Sequence, residues 1–113
     1  MTSLDPDAPA RRVIVRYTVK PDQIERNEAL IRAVYDELER VRPDGLQYAT
    51  FRLGDGAEFV HLASSRSADG RSPLTENAAF RAFQEGIHDR CEVAPVSTEL
   101  HEIGSYRVFD DAD

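Results

Sequence analysis

Apolar and polar residues alternate with a period of two from Arg12 to Lys20, RVIVRYTVK: Val13, Val15, Tyr17 and Val19 fall on one side, Ile14, Arg16 and Thr18 on the other. This is the pattern of a half-buried strand. Pro21-Asp22 ends it, and either residue suits the first turn of a helix, where Gln23 and Glu25 are also favourable. The period then changes to that of a helix running to about Arg42. Ile24, Ile31, Val34, Leu38 and Val41 form its apolar stripe, Leu30 and Ala33 widen it, and Pro43 with Gly45 stops it. Alternation returns in PDGLQYATFRLGDGAEFVHLAS, 43–64, on both sides of Asp55-Gly56, which predicts a hairpin with a type I′ turn. The polar run 64–73, SSRSADGRSP, reads as a loop. Thr75 or Asn77 caps a second helix with Ala79, Phe80, Phe83 and Ile87 as its stripe, and 88–95 reads as an irregular or single-turn continuation. A final long strand is expected over about 96–109, its alternation broken near Gly104.

A two-residue turn fixes the hairpin register, setting Leu53 opposite Glu58, Arg52 opposite Phe59, Phe51 opposite Val60, Thr50 opposite His61 and Ala49 opposite Leu62. Facing residues share a side of the sheet. Ala49, Phe51, Leu53, Val60 and Leu62 make a purely apolar side, the expected seat of the helices. The other side carries Leu46, Tyr48, Thr50, Arg52, Phe59, His61 and Ala63. This mixture of aromatic and polar groups suggests cover by a second sheet or the lining of a pocket.

The order strand, helix, strand, strand, helix, strand with a central hairpin is the split βαβ arrangement. It predicts an α+β, ferredoxin-like domain over residues 11–109, with a flexible tail over 1–10 and an acidic tail over 110–113. The four-stranded antiparallel sheet carries both helices on one face, because the crossovers are right-handed. The other face is left open. With Leu46, Tyr48, Phe59 and Ile14 expected there, a second copy of the chain is the natural cover, giving a homodimer with two sheets face to face.

Composition narrows the class. At 113 residues the chain builds one core. No apolar run approaches the roughly 20 residues of a membrane helix, and MTSLDPDAPARR lacks the basic start and apolar centre of a signal peptide, so a cytoplasmic protein is expected. Cys91 is the single cysteine, which excludes an internal disulfide. A net charge of −7, with Lys20 the sole lysine, argues against a nucleic-acid partner.

The segments VIVRYTVKPDQ, PDGLQYATFRLGDGAEFV and SPLTENAAFRAF resemble the first strand, the hairpin and the second helix of the dimeric α+β barrel superfamily, especially its antibiotic biosynthesis monooxygenase-like branch. The resemblance spans about residues 12–108. It implies a homodimer and, among several chemistries of the superfamily, cofactor-independent oxygenation of a quinol-like aromatic. Where that family often closes its hairpin on a Glu-Arg-Trp-like triplet, this chain has Ala63-Ser64-Ser65, and it has no tryptophan. No catalytic residue is carried over from the haem-degrading members.

Among side chains suited to chemistry, His61 stands out, a mid-strand imidazole with Thr50 opposite and Tyr48 and Arg52 expected nearby. Its ordinary pKa suits proton transfer; a packed, hydrogen-bonded interface histidine is the plainer alternative. Tyr17, Tyr48 and Tyr106 offer phenols to an aromatic ligand or enolate, or bury rings at an interface. Arg16 and Arg52 suit a carboxylate or phenolate, or pair with Glu58, Glu99 or Glu102. Phe59, Phe80 and Phe83 are core residues or the walls of a pocket between the second helix and the sheet. The spacing of His61, His88 and His101 matches no metal motif, and no cofactor is expected. Two functions follow: a small monooxygenase using His61, Arg52 and Tyr48 on an aromatic held by Tyr17, Phe59, Phe80, Phe83 and Arg16, or a non-catalytic dimer that binds a small ligand or partner.

Overall fold

The computed structural model describes residues 10–66 and 72–108; the expected tails, save Ala10, and the middle of the 64–73 loop lie outside the described residues. β1 (Arg11–Val19) leads through a 3-10 turn (Pro21–Gln23) into α1 (Ile24–Val41). β2 (Leu46–Arg52) and β3 (Glu58–Ser65) follow, then a second 3-10 turn (Pro73–Glu76), α2 (Ala78–Gln84), the single turn α3 (Ile87–Arg90) and β4 (Cys91–Glu99). The four strands form one antiparallel sheet in the order β2-β3-β1-β4, with α1 and α2 on one face. This is the ferredoxin-like α+β fold that the order of elements predicts.

The hairpin register is the expected one, with Arg52 opposite Phe59, Thr50 opposite His61 and Ala49 opposite Leu62. Its turn is not. The Gly56 N–H donates to the Leu53 carbonyl at 3.1 Å and Gly54 takes the positive φ of +55°, so the tight turn centres on Gly54-Asp55. The register survives because the Leu53 N–H donates to the Glu58 carbonyl, bracketing the loop with the same outer pair.

The two faces of the sheet exchange the roles expected of them. Pairing of Tyr17 with Phe59, Val15 with His61 and Val13 with Ala63 places the Tyr48–His61 side of the hairpin beneath the helices. Ile14, opposite Leu62, lies on the other face and not with Tyr48. That face leaves Phe51 and Leu53 about 40% exposed and Val96 61% exposed. β1 decides the matter: it is a central strand, its Val13-Val15-Tyr17-Val19 side is uniformly apolar or aromatic, and Arg16 on its other side cannot enter a core. The hairpin must follow β1, and its polar groups are buried at low cost because they satisfy one another.

The core comprises Tyr17, Val19, Ile31, Val34, Phe59, Leu74, Phe83 and Ile87. In α1, Ala33 and Val41 of the expected stripe are exposed, while Asn27 is completely buried. Arg42 caps α1 in the left-handed conformation, its N–H donating to the Leu38 carbonyl at 2.7 Å. Asn77 caps α2 through Oδ1, which accepts from the Phe80 N–H at 2.8 Å. The Glu37 carboxylate on α1 also accepts from the N–H groups of Ala78 and Ala79, at 3.3 and 3.1 Å. The last strand is shifted from its expected place, beginning at Cys91 and ending at Glu99. Pro95 does not break it because β4 is an edge strand, and the register shift between Val93 and Val96 forms a bulge around the proline. Beyond it, the Leu100 N–H donates to the Arg12 carbonyl and Glu102 pairs with Arg12, but 100–108 form no strand.

Candidate functional site

A cavity of about 450 Å³ opens between α2 and the helix-covered face of the sheet. The alternation that builds β1 and β3 supplies its floor: Val13, Val15 and Tyr17 from one strand, His61 and Ala63 from the other, with Tyr48 beside them on β2. The stripe of α2 supplies the roof, Phe80 and Phe83, and Leu74 and Ile87 add to the apolar lining. The surface is mainly apolar, with a cluster of polar atoms at Tyr17, Tyr48 and His61 on the floor and further polar side chains such as Arg11, Thr75 and Gln84 around it, a mixture typical of small-molecule sites.

In that cluster His61 is 5% exposed and both its ring nitrogens are engaged. Nε2 lies 2.8 Å from the Tyr17 hydroxyl, and Nδ1 lies 2.6 Å from the Tyr48 hydroxyl and 3.2 Å from Thr50 Oγ1. Thr50 in turn meets the Tyr35 hydroxyl at 2.7 Å. On the other side, Asn27 Nδ2 donates to the Tyr17 hydroxyl at 2.9 Å, and Arg90 Nε donates to Asn27 Oδ1 at 3.1 Å. Arg90 also donates to the carbonyls of Glu85 and Phe83 and lies over the Phe83 ring, 5.2 Å from its centroid. A continuous chain of hydrogen bonds thus runs from a buried guanidinium through an amide and a phenol to the imidazole.

Burial governs protonation throughout this chain. Desolvation lowers the His61 pKa to about 4, so the ring is neutral at pH 7. Desolvation also pushes the Tyr17 hydroxyl well above its ordinary range, although the amide of Asn27 and the charge of Arg90 oppose it. The Tyr48 hydroxyl rises for the same first reason, with Tyr35 adding to the effect and the Thr50 hydroxyl opposing it. Burial depresses Arg90 and raises Cys91, which sits beside it.

Of the residues singled out in the sequence, His61, Tyr17, Tyr48, Phe80 and Phe83 meet at the cavity. Phe59 lies close by but is buried, stacked on the Tyr17 ring at 5.6 Å between centroids. Arg52 turns back over its own hairpin, donating to the carbonyls of Gly56 and Asp55 and pairing with Glu28 at 3.3 Å. Arg16 is on the opposite face of the sheet, paired with Glu58 at 2.8 Å. His88 stands at the cavity rim, His101 is exposed beyond β4, and Tyr106 is 80% exposed. Among the described residues no group of three metal-ligating side chains converges. Sequence reasoning missed Asn27 and Arg90. Asn27 left a signal, since it stands three residues after Ile24 and four before Ile31, where the α1 stripe calls for an apolar residue. Arg90, beside a lone cysteine, left none.

No protein-family model matches the sequence, and a search of curated proteins returns no match. Solved structures do resemble it. A candidate antibiotic biosynthesis monooxygenase from Nitrosomonas europaea superposes with a TM-score of 0.69 at 16% identity, covering 88% of this chain and 96% of its own. One from Caulobacter crescentus gives 0.67 at 18%, with 86% and 92% covered. Rv0793 from Mycobacterium tuberculosis gives 0.66 at 21%, with 86% and 98% covered. At these identities the likeness is one of fold.

Proposed function

We propose, from a fold shared with the antibiotic biosynthesis monooxygenase-like proteins, that this chain binds a small aromatic or quinol-type molecule in the cavity and oxygenates it without metal or flavin. The observation that carries the reading is the apolar cavity with one neutral histidine held between two tyrosine hydroxyls on its floor. An acidic C–H or O–H of the ligand loses its proton to His61 by way of a tyrosine hydroxyl, and the second hydroxyl stabilises the resulting anion. Dioxygen from solution then forms a carbon–oxygen bond with the anion. The resulting peroxide anion takes the proton back from the His61 imidazolium, and the hydroperoxide so formed loses water, with the hydrogen remaining on the same carbon, to leave a carbonyl. Arg52 and Arg16, turned away from the cavity, have no part in this scheme.

The active unit is proposed to be a homodimer in which the open faces cover one another, since that face exposes Phe51, Leu53 and Val96 on either side of the Arg16–Glu58 pair. Among the described residues no helix is long and apolar enough to cross a membrane. A second reading, a ligand-binding dimer without catalysis, is favoured by one observation: both nitrogens of His61 are already paired. Oxygen uptake with a panel of quinols and anthrones separates the two. Uptake that His61→Ala abolishes while the dimer persists supports the enzyme; tight binding with no uptake from any of them supports the binding module.

A further inference from the structure

The hydrogen-bond chain behind the cavity has a direction that its donors impose. Arg90 has only N–H groups to offer, so its contact at 3.1 Å must meet the oxygen of the Asn27 amide. The Asn27 amide nitrogen therefore faces Tyr17 and donates to its hydroxyl oxygen. Tyr17 is 2% exposed, and His61 Nε2 is the one remaining partner of its hydroxyl among the described residues. Its proton must go there, because a buried O–H left without an acceptor is costly. Nε2 is then the bare, basic nitrogen and Nδ1 carries the hydrogen, donating to Tyr48 at 2.6 Å with Thr50 as a longer second acceptor. Tyr48 receives that bond on its oxygen, so its own proton is not needed by His61; with Thr50 already met by Tyr35 and by Nδ1, that proton is available to a ligand in the cavity.

We propose that Asn27, oriented by Arg90, is a positioning residue that fixes His61 as the Nδ1–H tautomer, so that the cavity takes a ligand presenting an acceptor oxygen, a carbonyl or phenolate, to the Tyr48 hydroxyl. The ligand half of this inference rests on the cavity reading above and assigns its two hydroxyls. Tyr48 donates to the oxygen on which the anion forms. Tyr17 passes its proton to Nε2 as it takes one from the ligand, leaving an imidazolium and an intact phenol. Polarity of this kind rejects ligands that bring a donor O–H to Tyr48 and nothing to accept its proton.

The tautomer is read directly by long-range 1H–15N correlation of the free protein, which distinguishes a protonated from a bare ring nitrogen. Wild-type protein is expected to show Nδ1 protonated and Nε2 bare. In Asn27→Asp the carboxylate accepts from both Arg90 and the Tyr17 hydroxyl, and the tautomer is expected to reverse to Nε2–H. A wild-type Nε2–H form, or a folded Asn27→Asp protein with unchanged tautomer, overturns the positioning role; the wild-type spectrum decides even where the variant does not fold. The ligand half is tested with 1-tetralone and tetralin, which differ by one carbonyl. Tyr48→Phe is expected to weaken tetralone about tenfold and leave tetralin unchanged, the effect of one lost hydrogen bond. Equal loss for both compounds overturns the acceptor assignment. Failure of both to bind, with the Nδ1–H tautomer in place, overturns the ligand half together with the cavity reading while the positioning role stands.

Discussion

The depressed pKa of His61 makes the fold sensitive to acid in a way that can be measured on one residue. In the unfolded chain the imidazole titrates near 6.5, whereas in the folded protein burial lowers it to about 4. Between those values the unfolded state binds more protons, so the unfolding free energy falls as pH drops through that interval. Below about pH 4 both states are protonated and the loss stops. At roughly 1.4 kcal/mol per pH unit the whole interval is worth about 3 kcal/mol, of which about 2.4 kcal/mol falls between pH 7 and 4.5. Urea unfolding of wild type and His61→Gln at half-unit steps of pH, at one protein concentration, isolates the residue, since the two chains differ at no other position. The wild type should lose about 2.4 kcal/mol more than the variant between pH 7 and 4.5. Parallel curves, or an NMR titration that puts the His61 midpoint at 6 or above, would refute the burial argument.

Three further outcomes follow from the packing. Arg90→Leu leaves Asn27 Oδ1 and the Phe83 carbonyl, both buried, and the half-buried Glu85 carbonyl without their donor; at about 1–3 kcal/mol for each of the two buried orphans, urea unfolding should register a loss of at least about 2 kcal/mol, and a loss under about 1 would mean that water replaces the guanidinium. Ala63→Phe pushes a ring into the cavity floor and should weaken tetralone binding at least tenfold by calorimetry, for an overpacking cost of about 1–3 kcal/mol in stability. Phe51→Asp, on the open face, should yield monomers by light scattering with helix content intact, and a dimer that persists would place the interface elsewhere.

The element order and hairpin register could be read from the sequence because both depend on local periodicity and a turn that tolerates only certain residues. The face assignment failed because it compared the two sides of the hairpin with each other. The comparison that matters is with β1, whose Tyr17 and Val15 pair with Phe59 and His61 and whose Arg16 is barred from the core. His61 and Tyr48 were recognisable as chemistry on a mixed face, but their partners were not: Asn27 is distant in sequence from both, and Arg90 is engaged through main-chain carbonyls that any sequence supplies. Cys91–Pro95 escaped assignment to a strand because proline is a breaker in a central strand and harmless at an edge bulge, and edge position is a tertiary fact.

α2 is fastened to α1 at both ends, by the Glu37 carboxylate on the N–H groups of Ala78 and Ala79 and by Arg90, which ties the Phe83 and Glu85 carbonyls to Asn27. The roof of the cavity is therefore not a door. The exposed residues of the cavity lining are Arg11, Thr75, Gln84 and His88, and a ligand of the proposed kind would enter among them, with Phe80 and Phe83 held in place above it. The ordering cost of shaping the site is met when the chain folds rather than when the ligand arrives, so binding should be fast, leave the backbone nearly unmoved, and discriminate by shape before it discriminates by chemistry.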